Sequence, residues 1–264
     1  MRNPQILIIR YGALGDTLTL VPLLYLIKKN YPHYHTTLSV NGSYSKLIQF
    51  FCSAIEEFNL ESLNKESLLK YDLVFAVVSS SNSILCSHLK TFNSGAIIFA
   101  DVELCEKLAV SIYNFLIEKF CESYALYNAG FPADFFQKIG AENKLQKKIF
   151  HPGSGGIKKN LSVEELKSAI SKFELFPENT DILLGPAEIN NIELRKIFSD
   201  YNLIQNIFDY AELVKILKSY DYYFGFDSGV SHLAALCGLN CKIFFKANNY
   251  TVWKPFGKNV FVQI

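Results

Sequence analysis

Residues 5–10 read Gln-Ile-Leu-Ile-Ile-Arg and run directly into the turn Tyr11-Gly12-Ala13-Leu14-Gly15-Asp16. An unbroken apolar run of this length has no alternation between a wet and a dry face. It fits a strand covered on both sides, which is the condition of a parallel sheet. Parallel neighbours cannot be joined by a hairpin, so a crossover helix must follow. That helix is expected over residues 16–30, with Asp16 near its start. Pro22 lies inside it and predicts a kink or a displaced start.

The alternation continues. Strands are expected over residues 37–40, 73–78 and 96–100, and helices over 44–51, 83–89 and 103–120. Between Cys121 and Lys148 the pattern weakens, with Gly130, Pro132 and Gly140 among mixed charges. This stretch reads as an interdomain connection with a short helix over 133–139. A strand then forms at 148–151 and ends in Pro152-Gly153-Ser154-Gly155-Gly156. Ser162 with Glu165 three residues later is a capping box, and predicts a helix to about residue 173. A strand at 180–184, helices at 188–198 and 210–218, and a strand at 222–226 follow. Asp227-Ser228-Gly229 opens a helix through 237, and 241–245 is the last clear strand.

The expected class is therefore α/β, with two Rossmann-like halves, 1–145 and 146–264. Each carries Gly-containing loops at the carboxyl ends of its strands, where open parallel sheets bind ligands. A cleft between the halves is the expected ligand site.

Composition narrows the function classes. Half the 264 residues are hydrophobic, and the formal net charge is +1. That supports real cores and gives no basic surplus for nucleic acid. The six cysteines form no C-x-x-C pair, and read as reduced, buried thiols suited to a cytoplasm. The apolar run 17–27 is too short to span a bilayer, contains Pro22 and precedes no cleavage signal. The chain is expected to be soluble and cytoplasmic, with peripheral contact with the inner membrane face open to it.

Three loops carry candidate chemistry. In the first, Gly12 and Gly15 let backbone approach a ligand, and Asp16 can serve as a general base. Asp16 reads equally as a helix N-terminal acid. The loop lacks both the G-x-G-x-x-G spacing and a Gly-Lys-Ser/Thr, which sets aside a dinucleotide oxidoreductase and a P-loop. In the second loop, Ser154, Gly155 and Gly156 can present amides to an anion, and Lys158 or Lys159 can add a positive charge. The same composition also suits a surface turn. In the third, Ser228 and Gly229 open a helix whose unpaired amides form an anion site. Asp227 would cap that helix or accept from sugar hydroxyls. His232 would donate to a phosphate or a sugar, or be structural.

These loops, in this order, resemble glycosyltransferase family 9, the heptosyltransferases. The carriers are the 6–16 strand and turn, the Pro22-containing continuation, and His151-Pro152-Gly153-Ser154-Gly155-Gly156 with its lysines. Asp227-Ser228-Gly229-Val230-Ser231-His232-Leu233-Ala234-Ala235 is close to the family's Asp-Ser/Thr-Gly-x-x-His-x-Ala-Ala, and Trp253-Lys254-Pro255 is similar to its Trp-x-Pro. The resemblance implies a GT-B fold and inverting transfer from a nucleotide-diphospho-sugar, typically ADP-heptose. The acceptor would be a glycan or the lipopolysaccharide core. Asp16 would be the base, and Lys158 or Lys159 would hold the diphosphate with Ser228, Gly229 and His232. Asp227 would contact the sugar and Glu188 the ribose. No Asp-x-Asp occurs in the chain, so neither a metal nor a cofactor is expected beyond the co-substrate. The chain stops soon after Trp253, where members of the family continue with a C-terminal helix. That difference keeps a second expectation open: a non-catalytic nucleotide-sugar-binding protein on the same fold.

Overall fold

The computed structural model describes residues 3–42, 44–52, 55–57, 59, 64–92, 97–126, 131, 135, 147–154, 156, 159, 161–205, 207 and 209–264. The chain divides into two units, Met1–Gly130 and Phe131–Ile264. The sequence reading placed the linker in the first half. Phe131 and Phe135 instead pack on Phe256, with ring centroids 4.7 and 6.2 Å away, and so belong with the second unit. The short helix expected over 133–139 lies outside the described residues.

The first unit holds β1 (Gln5–Arg10), α1 (Leu14–Leu18), α2 (Val21–Asn30), β2 (His35–Ser39), α3 (Tyr44–Ile48), β3 (Ile55–Glu57), α4 (Lys65–Leu68), β4 (Leu73–Val78), α5 (Ile84–Thr91), β5 (Ile97–Asp101), α6 (Val102–Leu108) and α7 (Ile112–Cys121). Its strands are all parallel, in the order β3-β2-β1-β4-β5. Ile6, Leu7, Ile8 and Ile9 are all fully buried, so β1 is covered on both faces as its composition requires.

The second unit holds β6 (Lys148–His151), α8 (Val163–Lys172), β7 (Thr180–Leu183), α9 (Ile192–Ile197), β8 (Leu203–Ile204), α10 (Tyr210–Lys218), β9 (Tyr222–Phe226), α11 (Gly229–Leu236), β10 (Asn240–Phe244), α12 (Tyr250–Trp253) and β11 (Val260–Gln263). The order is β11-β10-β9-β6-β7-β8, again all parallel. Phe150, Phe198, Phe224, Phe226 and Phe244 build the core under α8.

Two expected helices are each split, for local reasons. Proline lacks an N–H, and its ring clashes with the carbonyl four residues back. Four residues before Pro22 is Leu18, where α1 ends, and Pro22 then sits in the first turn of α2. The helix expected over 103–120 is broken at Ala109, whose φ of 52° is left-handed, and restarts from Ser111 as N-cap of α7. The helix expected from Glu188 starts later, at Ile192, where the Asn191 side chain accepts from Glu193 N and Leu194 N. Four short elements were not expected: β3, α4, β8 and α12, together with the edge strand β11.

In both sheets the chain order reverses beside the first strand. The crossovers diverge there, and the crevice at the carboxyl ends of the strands is where such sheets take ligands. In the first unit this point lies between β1 and β4; in the second, between β6 and β9. Among the described residues, no helix is long and apolar enough to cross a membrane.

The Ser162 capping box forms as expected. Glu165 N donates to Ser162 Oγ at 3.2 Å, and Ser162 N donates to Glu165 Oε2 at 2.7 Å. Ser162→Ala should cost about 1 kcal/mol. The chain's one tryptophan, Trp253, reports on the second unit, and its fluorescence in a urea titration should show the lower midpoint.

Candidate functional site

The β6/β9 switch point gathers three loops of the second unit. Phe226 ends β9 and passes the chain to Asp227 and Ser228. Asp227 does not cap α11. That role falls to Ser228, whose Oγ accepts from Ser231 N at 3.3 Å. The Asp227 carboxylate, only 6% exposed, instead pairs through Oδ2 with Lys159 Nζ at 2.8 Å and accepts from Asn248 Nδ2 at 2.6 Å. A buried carboxylate with two donors is a satisfied one. The pair also fixes a lysine charge beside the residue that precedes the α11 N-cap. Helix geometry leaves the amides of Gly229 and Val230 without an intrahelical acceptor, and the helix dipole adds positive character there. Of the two candidate lysines, Lys159 is thus the one the structure joins to Asp227. Lys158 and Gly155 lie outside the described residues.

The turn is held from below. The buried Tyr223 hydroxyl lies 3.0 Å from Ser231 Oγ, and Ser231 Oγ donates to the Phe226 carbonyl and lies 3.2 Å from Ser228 Oγ. Burial pushes the Tyr223 phenol above its ordinary value, so it stays neutral and able to donate. Gly225 makes room for this ring: a Cβ there would lie 2.4 Å from the Tyr223 hydroxyl oxygen. His232 is buried in α11, 4% exposed.

Glu188 comes from the loop after β7. It is 5% exposed, and its Oε2 accepts from Gly185 N at 3.0 Å. A Cβ on Gly153 would fall 1.9 Å from Glu188 Oε1, and one on Gly185 would fall 2.9 Å from Oε2. These glycines are therefore the space that the carboxylate occupies. His151 at the end of β6 shares the region. Its Nδ1 lies 2.9 Å from the Leu183 carbonyl, which only accepts, so Nδ1 carries a proton. Burial lowers the His151 pKa below the ordinary 6.5, while the Glu188 charge and the Leu183 hydrogen bond pull upward. Ser154, buried, donates from Oγ to the Gly156 carbonyl at 3.0 Å, which tightens the loop. A Cβ on Gly156 would meet nothing closer than Lys159 Cγ at 3.8 Å, so Gly156 is not fixed by sterics.

In the first unit, Asp16 sits in the first turn of α1, after the β1 strand. Its Oδ2 accepts from Ala13 N at 2.9 Å, and its Oδ1 pairs with Arg10 Nη2 at 2.5 Å. The helix-start reading of Asp16 and the reactive-carboxylate reading both remain, since its side chain is 30% exposed. A Cβ on Gly12 would lie 2.5 Å from Asp16 Oδ2, so Gly12 is a steric requirement of this carboxylate. Asn41 Nδ2 fixes the same turn through the Gly12 carbonyl at 2.8 Å. Gly15 lies within α1.

Sequence reasoning gives no individual role to Arg10, His151, Gly153, Gly185, Tyr223 or Asn248, although Arg10, His151 and Gly153 stand in the segments that carry the resemblance. Arg10 and His151 were legible as polar residues ending apolar strands. Asn248 carried no local signal. Among the described residues, no group of three or more His, Cys, Asp or Glu is placed to hold a metal ion.

No protein-family profile matches the chain, and no curated protein matches it by sequence. Solved structures do match its fold. The glycosyl transferase family 9 structure from Veillonella parvula DSM 2008 aligns with a TM-score of 0.73 at 14% identity, over 100% of this chain and 87% of that one. The E. coli heptosyltransferase WaaC with ADP aligns at 0.69 and 16%, over 98% and 92%. E. coli ADP-heptose lps heptosyltransferase II aligns at 0.67 and 14%, over 98% and 90%. The fold is that of GT-B glycosyltransferases. The matches extend over nearly the whole chain.

Two outcomes test this local account. Gly153→Ala should displace Glu188 and cost about 1–3 kcal/mol, as overpacking does, read from Trp253 fluorescence. The second concerns pH. Unfolded His151 regains its ordinary pKa of 6.5, whereas the folded group sits lower. Between those values the unfolded chain binds more protons, so stability rises with pH there. The contribution is complete above about 6.5 and falls on acidification. His151→Asn should flatten the wild-type loss between about pH 7 and pH 5; an unchanged slope assigns it to other groups.

Proposed function

We propose that this chain is an inverting, metal-independent glycosyltransferase that uses a nucleotide-diphospho-sugar, ADP-heptose in the first instance, and a glycan or lipopolysaccharide-core acceptor. The observation that carries the reading is the Lys159–Asp227 pair beside the Ser228-capped start of α11. It places a fixed ammonium and free helix amides at the switch point of a parallel sheet, and such positions bind phosphates. The likeness to a heptosyltransferase described with ADP supports a nucleoside diphosphate there.

The chemistry follows from the charges. The acceptor hydroxyl gives its proton to the Asp16 carboxylate as its oxygen bonds to the anomeric carbon. The bond from that carbon to the diphosphate oxygen breaks, and the nucleoside diphosphate leaves with the electron pair. One displacement inverts the centre. Lys159 and the α11 amides meet the charge that gathers on the leaving group, in a site already organised to receive it. Asp227 holds Lys159 in place and offers its carboxylate to sugar hydroxyls. Glu188, buried against Gly153 and Gly185, faces the ribose.

ADP should raise the unfolding midpoint, with about 2.7 kcal/mol of stabilisation at a hundredfold excess over Kd. Lys159→Ala should weaken ADP about tenfold or more, the loss of one charge-assisted contact. Asp16→Asn should keep ADP binding and lose transfer by about a hundredfold or more. Transfer at the wild-type rate would remove Asp16 as the base, and ADP binding without any transfer by the wild type would favour a non-catalytic binding protein. Activity lost in EDTA and restored by Mn²⁺ would contradict metal independence.

A further inference from the structure

We propose that Arg10 is the positioning residue of the Asp16 carboxylate: a buried guanidinium on β1 that holds the reactive acid in a single orientation. The inference rests on the reading of Asp16 as base, and adds the residue that prepares it.

Arg10 ends a strand whose four preceding residues are fully buried, and it is itself only 4% exposed. Its Nη2 donates to Asp16 Oδ1 at 2.5 Å. Its Nε is buried and, among the described residues, has no hydrogen-bond partner. Burial lowers the Arg10 pKa, and the Asp16 charge and hydrogen bond counter that. A buried charge with one N–H left unpaired is a poor device for stability, because an apolar side chain of similar size would fill the same place at lower cost. What the arginine supplies is geometry. Asp16 Oδ1 is fixed by Arg10 and Oδ2 by Ala13 N, so the carboxylate plane has no freedom to rotate. Each oxygen keeps a second lone pair, and the side chain is exposed enough to use one. Gly12 leaves the space for this orientation and for no side chain of its own. The other titratable group acting on Arg10 among the described residues is Cys105 of α6, a buried thiol that donates to the Val110 carbonyl at 3.4 Å. It offers Arg10 no competing carboxylate.

The test reads orientation directly, by NMR hydrogen exchange of the Ala13 amide in the full chain, with Arg10→Met and Arg10→Lys as variants. In Arg10→Met that amide should exchange roughly tenfold faster or more, while the strand amides Ile6 to Ile9 keep their wild-type rates. Arg10→Lys, which restores a charge and a donor, should return the Ala13 rate to within about threefold of wild type. In parallel, ADP release from ADP-heptose should fall about tenfold or more in kcat for Arg10→Met, with the Kd for ADP unchanged, and recover in part in Arg10→Lys. An unchanged Ala13 rate in folded Arg10→Met overturns the proposal. So does an equal acceleration of the Ala13 and strand amides, which assigns Arg10 to general stability. If Asp16→Asn releases ADP as wild type does, the base reading fails, and the exchange result still decides whether Arg10 positions the carboxylate.

Discussion

A strand buried on both faces and paired in parallel on both edges has only one place to meet a ligand, which is its carboxyl end. Beyond their half-buried first residues, Gln5 and Lys148, β1 and β6 are buried and have a parallel neighbour on each edge. The charged and imidazole side chains gathered at these ends follow from that constraint. Arg10 and His151 are the last residues of β1 and β6, Asp16 lies in the first turn of α1 after β1, and Ser154, Asp227 and Ser228 lie in the loops that leave β6 and β9. Glu188 lies in the loop after β7. None of these sits in the middle of a strand, and the buried polar residues that do, Thr36 and Thr37 of β2, are uncharged.

The two units use this edge differently. The second sets a lysine–carboxylate ion pair beside a helix start. Lys159 is held on Asp227 Oδ2, and Asn248 donates to the same oxygen. The first holds a carboxylate between an arginine and a backbone amide. In the proposed transfer, stabilising a leaving diphosphate and accepting a proton are complementary tasks, and each needs its group held before the substrate arrives. In both units glycine serves the carboxylates. Gly12 makes room for Asp16, and Gly153 and Gly185 make room for Glu188. The glycines of these loops therefore answer first to protein side chains, and not only to the approach of a ligand.

Much of this was legible in the residues. The strands β1, β4, β6 and β9, the helix α10 and the Ser162 cap follow from apolar runs, periodicity and a capping box, all local signals. So did the loops at the strand ends, and with them Asp16, Ser228 and one of two lysines. The breaks at Leu18 and Ala109 were harder. Pro22 announced the first through its ring, but the left-handed Ala109 has no signature of its own, and only Ser111 hinted at a restart. The short strands β3, β8 and β11 carry too few residues for a period to show. What no local pattern reveals is pairing across the chain. Asn248 meets Asp227 because the sheet sets β10 beside β9, and Glu188 fills the space over Gly153 because it sets β7 beside β6.

The central claim is that the β6/β9 edge of the second unit receives a nucleoside diphosphate. A crystal structure of the chain with ADP tests it most directly. The account places diphosphate oxygens within hydrogen-bond distance of Lys159 Nζ and the amides of Gly229 and Val230, with the ribose at Glu188. ADP bound elsewhere on the chain, or a fully loaded crystal with Lys159 and the start of α11 untouched, would contradict it.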